Sequence, residues 1–313
     1  MKTLFAIVPL LAVIFMFAFP VTYLKYARAE DTEFAALRLA KAMDCAGEAA
    51  MAACMESDSI DTDYLDETQM RMVAKRAADT FAAVLLLNYA LPASERNIEY
   101  VKSHIPVMVL CENNGYYIAE QREIGDDGEV NLIFTVKRPY VIDTSPETPD
   151  SGMLYGFNLG FTKFTAVDKA TLACTEGDSL SLVPYSKEHA LQWANRDIDI
   201  AVNAVLKRHA ATFNEPEYQR FYLPLTDDNS VGVTRVERPT LITIVRNISL
   251  GGAVSDMSSV NGVAVAPRRL VTAWTDGNGH KWYMYADEAD DIDGDTFLTP
   301  EDAARAGYWP RIA

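Results

Sequence analysis

The chain has 313 residues, of which 49% are hydrophobic and 23% are charged, and its formal net charge is −16. This length is enough to bury at least one sizeable core, and the composition is that of a globular protein. The negative charge excludes nucleic acid as a partner, because binding to phosphates needs a basic face. It also argues against docking of the soluble part onto anionic lipid.

The first predicted element is an apolar helix near the N-terminus. Sixteen apolar residues, Leu4 to Phe19, follow a single lysine, Lys2. Extended to Leu24, the stretch would be about 30 Å long as a helix, which is enough to cross a bilayer core. Residues 1–29 are therefore predicted to anchor a single-pass cell-membrane protein through residues 4–24. The alternative is a signal peptide cleaved near Ala29, which would give a secreted protein; both interpretations place the bulk of the chain outside the cytoplasm.

Residues 30–104 are predicted to form an Ala-rich helical hairpin. Its first helix covers residues 31–55, and its second runs from about residue 65 to residue 87, with apolar side chains at helical spacing. Cys45 and Cys54 would lie about 13 Å apart on one continuous helix, which is too far for a disulfide. Because export permits disulfides, we expect at least one bridge. Cys111 and Cys174 are the favoured pair, since both lie in the β-rich part.

Residues 105–313 are predicted to form an extracytoplasmic α+β region. A β-hairpin is expected at 106–121, where Asn113, Asn114 and Gly115 form the turn. Residues 186–210 predict an amphipathic helix. Further strands are expected at 129–142, where Pro139 stops the strand, and at 154–167, 220–225, 240–250, 262–275 and 281–286. The predicted fold class is thus α+β: an N-terminal transmembrane helix and a helical hairpin, then a mixed, mainly antiparallel sheet with one packed helix.

Motifs that carry catalysis are missing from the sequence. It contains no HExxH, GxSxG, P-loop or GxGxxG pattern, and none of its four histidines has a carboxylate or cysteine at metal-ligand spacing. The sequence therefore predicts a protein without enzymatic activity.

Residues 291–302, DIDGDTFLTPED, locally resemble the calcium loop of the EF-hand family. Calcium takes six to eight oxygen ligands, and a loop of this kind supplies them at fixed positions. The residues at those positions would be Asp291, Asp293, Asp295, Phe297 (through its carbonyl), Thr299 and Asp302. The stretch departs from the family at Thr296, where a glycine in a left-handed turn is usual, and at Asp302, where glutamate is usual. Calcium is the predicted cofactor, and an acidic helix N-terminus is the alternative.

The first 140 residues resemble a family of bacterial surface proteins. The resemblance lies in the short N-terminal head, the apolar segment and the Ala-rich stretch AMDCAGEAAMAAC at 42–54, followed by residues 100–121 and VKRPY at 136–140. These features are similar to single-pass, pseudopilin-like proteins of Tad or type IV-like pilus gene clusters in Gram-positive bacteria. No glycine precedes the apolar run, and no glutamate lies five residues into it. The resemblance therefore does not extend to pilin processing or pilin-type polymerisation.

From these features we expect a membrane-anchored, extracytoplasmic structural or accessory component of a pilus- or secretion-like apparatus. Its partners would be the membrane and other membrane or pilus-like subunits. The alternative is an exported, soluble ligand- or calcium-binding module. The N-terminal residue of the mature protein separates the two, because an anchor retains Met1 or Lys2 and a cleaved module starts near Glu30.

Overall fold

A computed structural model gives the fold of the protein. It describes residues 2–54, 72–124, 129–213, 220–223, 233, 235–251, 254–264, 271–277, 279–285, 294–297 and 300–311. Within these ranges, the side chains of 2–22, 24, 26–28, 123, 124, 129, 130, 285 and 300–302 are not described. The described residues divide into two compact units: one holds the chain as far as Ala264, and the other lies within Val265–Ala313.

The first unit begins with three helices. They are α1 (Lys2–Cys54), α2 (Ala74–Asn88) and α3 (Glu95–Ser103). The two predicted hairpin helices correspond to α1 and α2, although α1 is a single helix of 53 residues and α2 begins later than expected. Ser94 caps α3, because its side chain accepts a hydrogen bond from the backbone N–H of Asn97.

A five-stranded antiparallel sheet forms the centre of this unit. Its strands are β1 (Val107–Glu112), β2 (Gly115–Ile124), β3 (Glu129–Phe134), β8 (Thr240–Ile248) and β9 (Met257–Ala264), in the order β3-β2-β1-β8-β9. The predicted hairpin at 106–121 is confirmed by the pairing of β1 with β2. Gly115 is required at its turn, because a Cβ there would lie 2.4 Å from the carbonyl oxygen of Arg138.

A second antiparallel sheet of the same unit contains β4 (Tyr140–Asp143), β5 (Met153–Phe157), β6 (Phe164–Asp168) and β7 (Cys174–Gly177), in that order. The stretch 154–167, predicted as one strand, forms the β5–β6 hairpin instead. Asn158 ends β5, since its side-chain oxygen accepts hydrogen bonds from the backbone N–H groups of Thr162 and Lys163. In the stretch 129–142, the first strand ends before Pro139, as predicted, and a second strand begins at Tyr140.

Helix α4 (Lys187–Thr212) packs against both sheets and confirms the predicted helix at 186–210. Three of its side chains, spaced four residues apart, bind the following segment. Asn195 exchanges two hydrogen bonds with the backbone of Val236, and Asn203 does the same with Phe221. Between them, Asp199 accepts a hydrogen bond of 2.7 Å from the backbone N–H of Leu223.

The prediction of a strand at 220–225 is wrong for residues 220–223, and these hydrogen bonds explain why. Residues 220–223 form no strand, and residues 224 and 225 lie outside the described ranges. The alternating apolar side chains of this stretch are typical of a strand, and Phe221 and Leu223 are buried. The backbone N–H groups of these two residues, however, donate to side chains of α4 rather than to a neighbouring strand.

The second unit contains a four-stranded sheet and a short helix. The elements are β10 (Val271–Thr275), β11 (Lys281–Tyr285), β12 (Asp295–Phe297), α5 (Pro300–Arg305) and β13 (Trp309–Pro310), and the strand order is β12-β10-β11-β13. The strand predicted at 281–286 is confirmed as β11. Helix α5 begins at Pro300, in agreement with the preference of proline for the first helical turn.

Candidate functional site

The most distinctive feature of the first unit is the change in burial along α1. From Ala29 to Arg38 nearly every described side chain is exposed, whereas Leu39, Met43, Ala46, Ala50 and Cys54 are fully buried. These five follow a spacing of three or four residues, which places them on one face of the helix. The helix therefore enters the globular body near Leu39, and just before that point the Arg38 guanidinium lies 4.5 Å from the ring centroid of Tyr89 on α2.

The buried half of α1 is fixed to the five-stranded sheet and to α2. A Cβ on Gly47 would lie 2.7 Å from a methyl group of Val263, so glycine allows the helix to approach β9 closely. Next to it, the amide of Asn261 donates a hydrogen bond of 2.6 Å to the Asp44 carboxylate. The α1 helix thus contributes part of the core rather than lying on the surface.

The exposed half of α1 carries large apolar side chains. Tyr23, Phe34 and Leu37 have 65%, 70% and 59% of their surface exposed. At about 100° per residue they fall within roughly a quarter of the helix circumference. A face of this kind is typical of helices that contact another apolar surface, whether lipid or protein.

The predicted anchor, residues 4–24, belongs to α1, but its side chains other than Tyr23 lie outside the described residues. Among the residues that the structure does describe, no helix combines the length and apolar character needed to cross a membrane.

The predicted calcium ligands fall in and around the second unit. Asp291, Asp293 and Thr299 lie outside the described residues, as does the side chain of Asp302, whose backbone is in α5. Asp295 and Phe297 are the ends of β12, and Asp295 accepts a hydrogen bond of 2.9 Å from the Tyr308 hydroxyl. Within the described ranges, no three His, Cys, Asp or Glu side chains are grouped as a metal site would require. Calcium binding by 291–302 stays a prediction.

One detail of that prediction is wrong. The EF-hand pattern places a residue in the left-handed conformation at Thr296, the loop position where glycine is usual. Thr296 instead lies in the extended strand β12 and pairs with Thr272 of β10. The close approach occurs two residues earlier, at Gly294, where a Cβ would lie 2.3 Å from the carbonyl oxygen of Ala273. Thr296 suits its place because β-branched residues favour strands.

The expected disulfide between Cys111 and Cys174 is also wrong, since all four cysteines are free thiols. Cys111 is buried within β1, whereas Cys174 is exposed on β7. Cys45 and Cys54 both lie on the continuous helix α1, where their separation along the helix is too large for a disulfide between them. Burial raises the pKa of the Cys111 thiol, and likewise that of Cys54, to about 12, so both are poor nucleophiles in the folded protein.

A cleft between β2 and α4 is the chemically richest site in the described part of the chain. Its volume is about 390 Å³. The residues that line it are Pro106, Glu120, Gln121, Arg122, Val205, Arg208, His209, Thr212 and Phe213. A second hollow of about 230 Å³ shares Pro106, Gln121, His209 and Phe213 with it and adds His104 and Arg246.

The Glu120 carboxylate organises this cleft. Its side chain is only 8% exposed, and it accepts hydrogen bonds from Arg122 on the same strand and from Arg208 on α4, the latter at 2.5 Å. Burial raises the pKa of Glu120, but the bonds from the two guanidinium groups outweigh burial, and the resulting pKa is below the ordinary value. Glu120 is therefore a fixed negative charge that orients two arginines.

Gln121, next to Glu120 on β2, links the cleft to the end of α3 and to α4 through hydrogen bonds. Its amide nitrogen donates to the carbonyl oxygens of Lys102, Ser103 and Ile105, which leaves its oxygen to accept from Nε2 of His209 at 3.1 Å. The ring of His209 in turn lies 4.5 Å from that of Phe213, centroid to centroid.

Sequence reasoning missed this cleft. Glu120 and Arg122 lie two residues apart on a strand and so share a face, but this pattern alone is common on sheet surfaces. Arg208 lies 88 residues from Glu120 in the chain, and no local motif joins them.

Comparison with known proteins adds no family to this description, because the chain matches no protein-family model, no curated protein and no solved structure.

Proposed function

We propose that the protein is a membrane-anchored, extracytoplasmic structural component of a bacterial surface or secretion apparatus. The observation that carries the proposal is α1. A single helix from Lys2 to Cys54 begins with the apolar run of residues 4–24, continues through an exposed stretch and ends as part of a globular core. This division of one helix into an apolar, an exposed and a buried part fits a subunit that holds its folded domain away from a membrane.

The length of the exposed stretch sets the distance between the apolar run and the globular body. From Leu24, the end of the apolar run, to Leu39, where burial begins, a helix rises by about 22 Å. The globular body would therefore stand clear of the lipid headgroups. In this arrangement the apolar face that includes Phe34 and Leu37 is available to other subunits of the apparatus, and the protein needs no catalytic residues.

The natural cysteines provide a test of location. Cys45 and Cys174 are exposed, whereas Cys54 and Cys111 are buried. A membrane-impermeant maleimide added to intact spheroplasts should therefore label two sites, and Cys45→Ser and Cys174→Ser should each remove one of them. Labelling that occurs only after the membrane is permeabilised would contradict the extracytoplasmic location.

The labelled spheroplasts also distinguish an anchored protein from a cleaved, exported module. An anchored protein should resist carbonate extraction and keep its first residues, as N-terminal sequencing of the labelled product would establish. A soluble product that begins near Glu30 would instead support the exported binding module.

Assembly can be tested on the exposed part of α1. Replacing Phe34 and Leu37 together by serine should reduce the apparent size of complexes in mild detergent extracts, because both side chains are exposed and have no role in the core. Ile200→Ser on α4 is a matched control, since Ile200 is 60% exposed but lies elsewhere in the fold. An equal effect of the control, or no change in either variant, would contradict assembly through α1.

A further inference from the structure

We propose that the cleft between β2 and α4 binds a small oxyanion ligand, a molecule that carries a carboxylate or phosphate group on a partly apolar body. The two guanidinium groups of Arg122 and Arg208 would hold the anionic group. The inference is independent of the proposed role in a surface apparatus, because it rests only on this cleft.

The first argument is local charge. Among the described residues, the cleft is lined by two arginines, Arg122 and Arg208, and by one carboxylate, that of Glu120. Glu120 can offset only one of the two guanidinium charges that it contacts. A positive concavity is unusual in a chain with a net charge of −16, and it attracts anions by field focusing within a cleft.

The second argument is the supply of hydrogen-bond donors. A guanidinium group offers five N–H donors. Arg122 uses Nε and Nη2 to bind Glu120, and Arg208 uses Nη2. Nη1 of Arg122, and Nε and Nη1 of Arg208, donate to no protein acceptor in the described part of the chain. Each arginine side chain is also 58% exposed, so these donors are accessible.

The third argument is pre-organisation. Glu120 is held in the sheet and is almost fully buried, so the two arginines need little ordering when a ligand arrives. Arginine presents its donors in a planar fork that matches carboxylate and phosphate oxygens. The remaining walls, which include Val205, Phe213 and Pro106, are apolar and suit the rest of the ligand. The volume, about 390 Å³, lies within the range of small-molecule sites.

The test is calorimetric titration of the full-length protein in neutral detergent with two anionic probes, phenyl phosphate and benzoate. Benzyl alcohol, which has the same ring without the charge, is the control ligand. We expect both anions to bind, with affinity that falls as salt is added, and benzyl alcohol to give no specific heat. Binding of only one anion would identify the anionic group and still support the site.

Variants assign the binding to the two arginines. Arg122→Gln and Arg208→Gln should each weaken binding by about tenfold or more, the effect typical of losing a charge-assisted hydrogen bond. Arg196→Gln is the matched control, because Arg196 is exposed on the same helix, about 18 Å along its axis from Arg208. Arg208→Lys keeps the charge but not the fork and should give an intermediate loss.

Two outcomes would overturn the proposal. One is the lack of any heat from either anion up to about 10 mM, which is weaker than a functional small-molecule site requires. The other is an equal loss in Arg196→Gln, which would mean that the anions respond to the general charge of the protein. Circular dichroism of each variant verifies that the fold is retained, and Arg122→Gln tests the site even if an Arg208 variant does not fold.

Discussion

The five-stranded sheet and the sheet of β4–β7 belong to one compact unit but are buried to different degrees. All six residues of β1 are buried, as are seven of the nine in β8. In β5 only Phe157 is buried, and in β7 no residue is. The difference follows from what covers each sheet: α1 lies against one face of the five-stranded sheet and α4 against the other, whereas the residues of β5 and β7 remain partly in contact with solvent.

The number of covered faces of a sheet determines the pattern of apolar side chains along its strands. A strand covered on both faces needs apolar side chains at successive positions, as in the Val-Met-Val-Leu-Cys run of β1. A strand covered on one face alternates, as β4 does with buried Tyr140 and Ile142. The five-stranded sheet should therefore carry most of the stability of this unit.

The largest expected effect is a cavity in β1. Leu110 is fully buried, so Leu110→Ala should lower the free energy of unfolding by about 2–5 kcal/mol. Leu154→Ala makes the same chemical change in β5, where the side chain is only half-buried, and should cost about 1 kcal/mol. Urea denaturation followed by circular dichroism measures both, and equal losses would contradict the proposed difference between the sheets.

A smaller effect is expected at Asp199, which helps to close the core over the five-stranded sheet. Burial raises the pKa of Asp199 from 3.8 to about 6, against the opposing effect of the bond from Leu223. Between these two values the folded state binds a proton that the unfolded state has lost. Stability should therefore fall as pH rises from about 4 to about 6 and remain lower at neutral pH.

Asp199→Asn removes this charge but keeps an oxygen for the N–H of Leu223, as Asn195 and Asn203 do for their partners. The variant should be more stable than wild type at pH 7 by on the order of 1 kcal/mol, allowing for solvent screening, and should lose the dependence between pH 4 and 6. Asp178→Asn, at an exposed position after β7, should change neither property. Thermal unfolding across pH measures the effect, and an unchanged pH profile in Asp199→Asn would show that another group is responsible.

The smallest expected effect lies in the exposed turn between β6 and β7. Leu172 has a φ of 56° and is 77% exposed, so it is held in the left-handed region without gaining burial. The five-stranded sheet has an asparagine, Asn247, at its own left-handed position in β8, and asparagine tolerates this conformation better.

Leu172→Asn should therefore raise the free energy of unfolding by about 0.5 kcal/mol, and Asn247→Ala should lower it by a similar amount. Precise thermal melts of the two variants and of wild type, at one protein concentration, would detect the opposite shifts. A loss of stability in Leu172→Asn would mean that Leu172 makes contacts that matter more than its backbone conformation.

Several parts of the fold could be predicted because their signal is local. The Asn-Asn-Gly turn between β1 and β2 and the amphipathic pattern of α4 depend on residues close in the chain, and both are confirmed. The division of 154–167 was missed because the turn depends on Asn158, whose side chain binds the backbone four and five residues later. An apolar run around such a residue looks like one strand.

The sequence by itself determined the α+β class, the amphipathic helix at 186–210 and the main hairpin, since periodicity and turn chemistry act over a few residues. Only the tertiary structure decided where α1 becomes buried, that Cys111 and Cys174 lie apart, and that residues 220–223 are bound by side chains of α4. It also decided that Arg208 reaches Glu120 across 88 residues of chain. The physical reason is common to all of these: they depend on which distant surfaces meet, and hydrophobic burial, which drives that meeting, is not directional enough to be read from any short stretch.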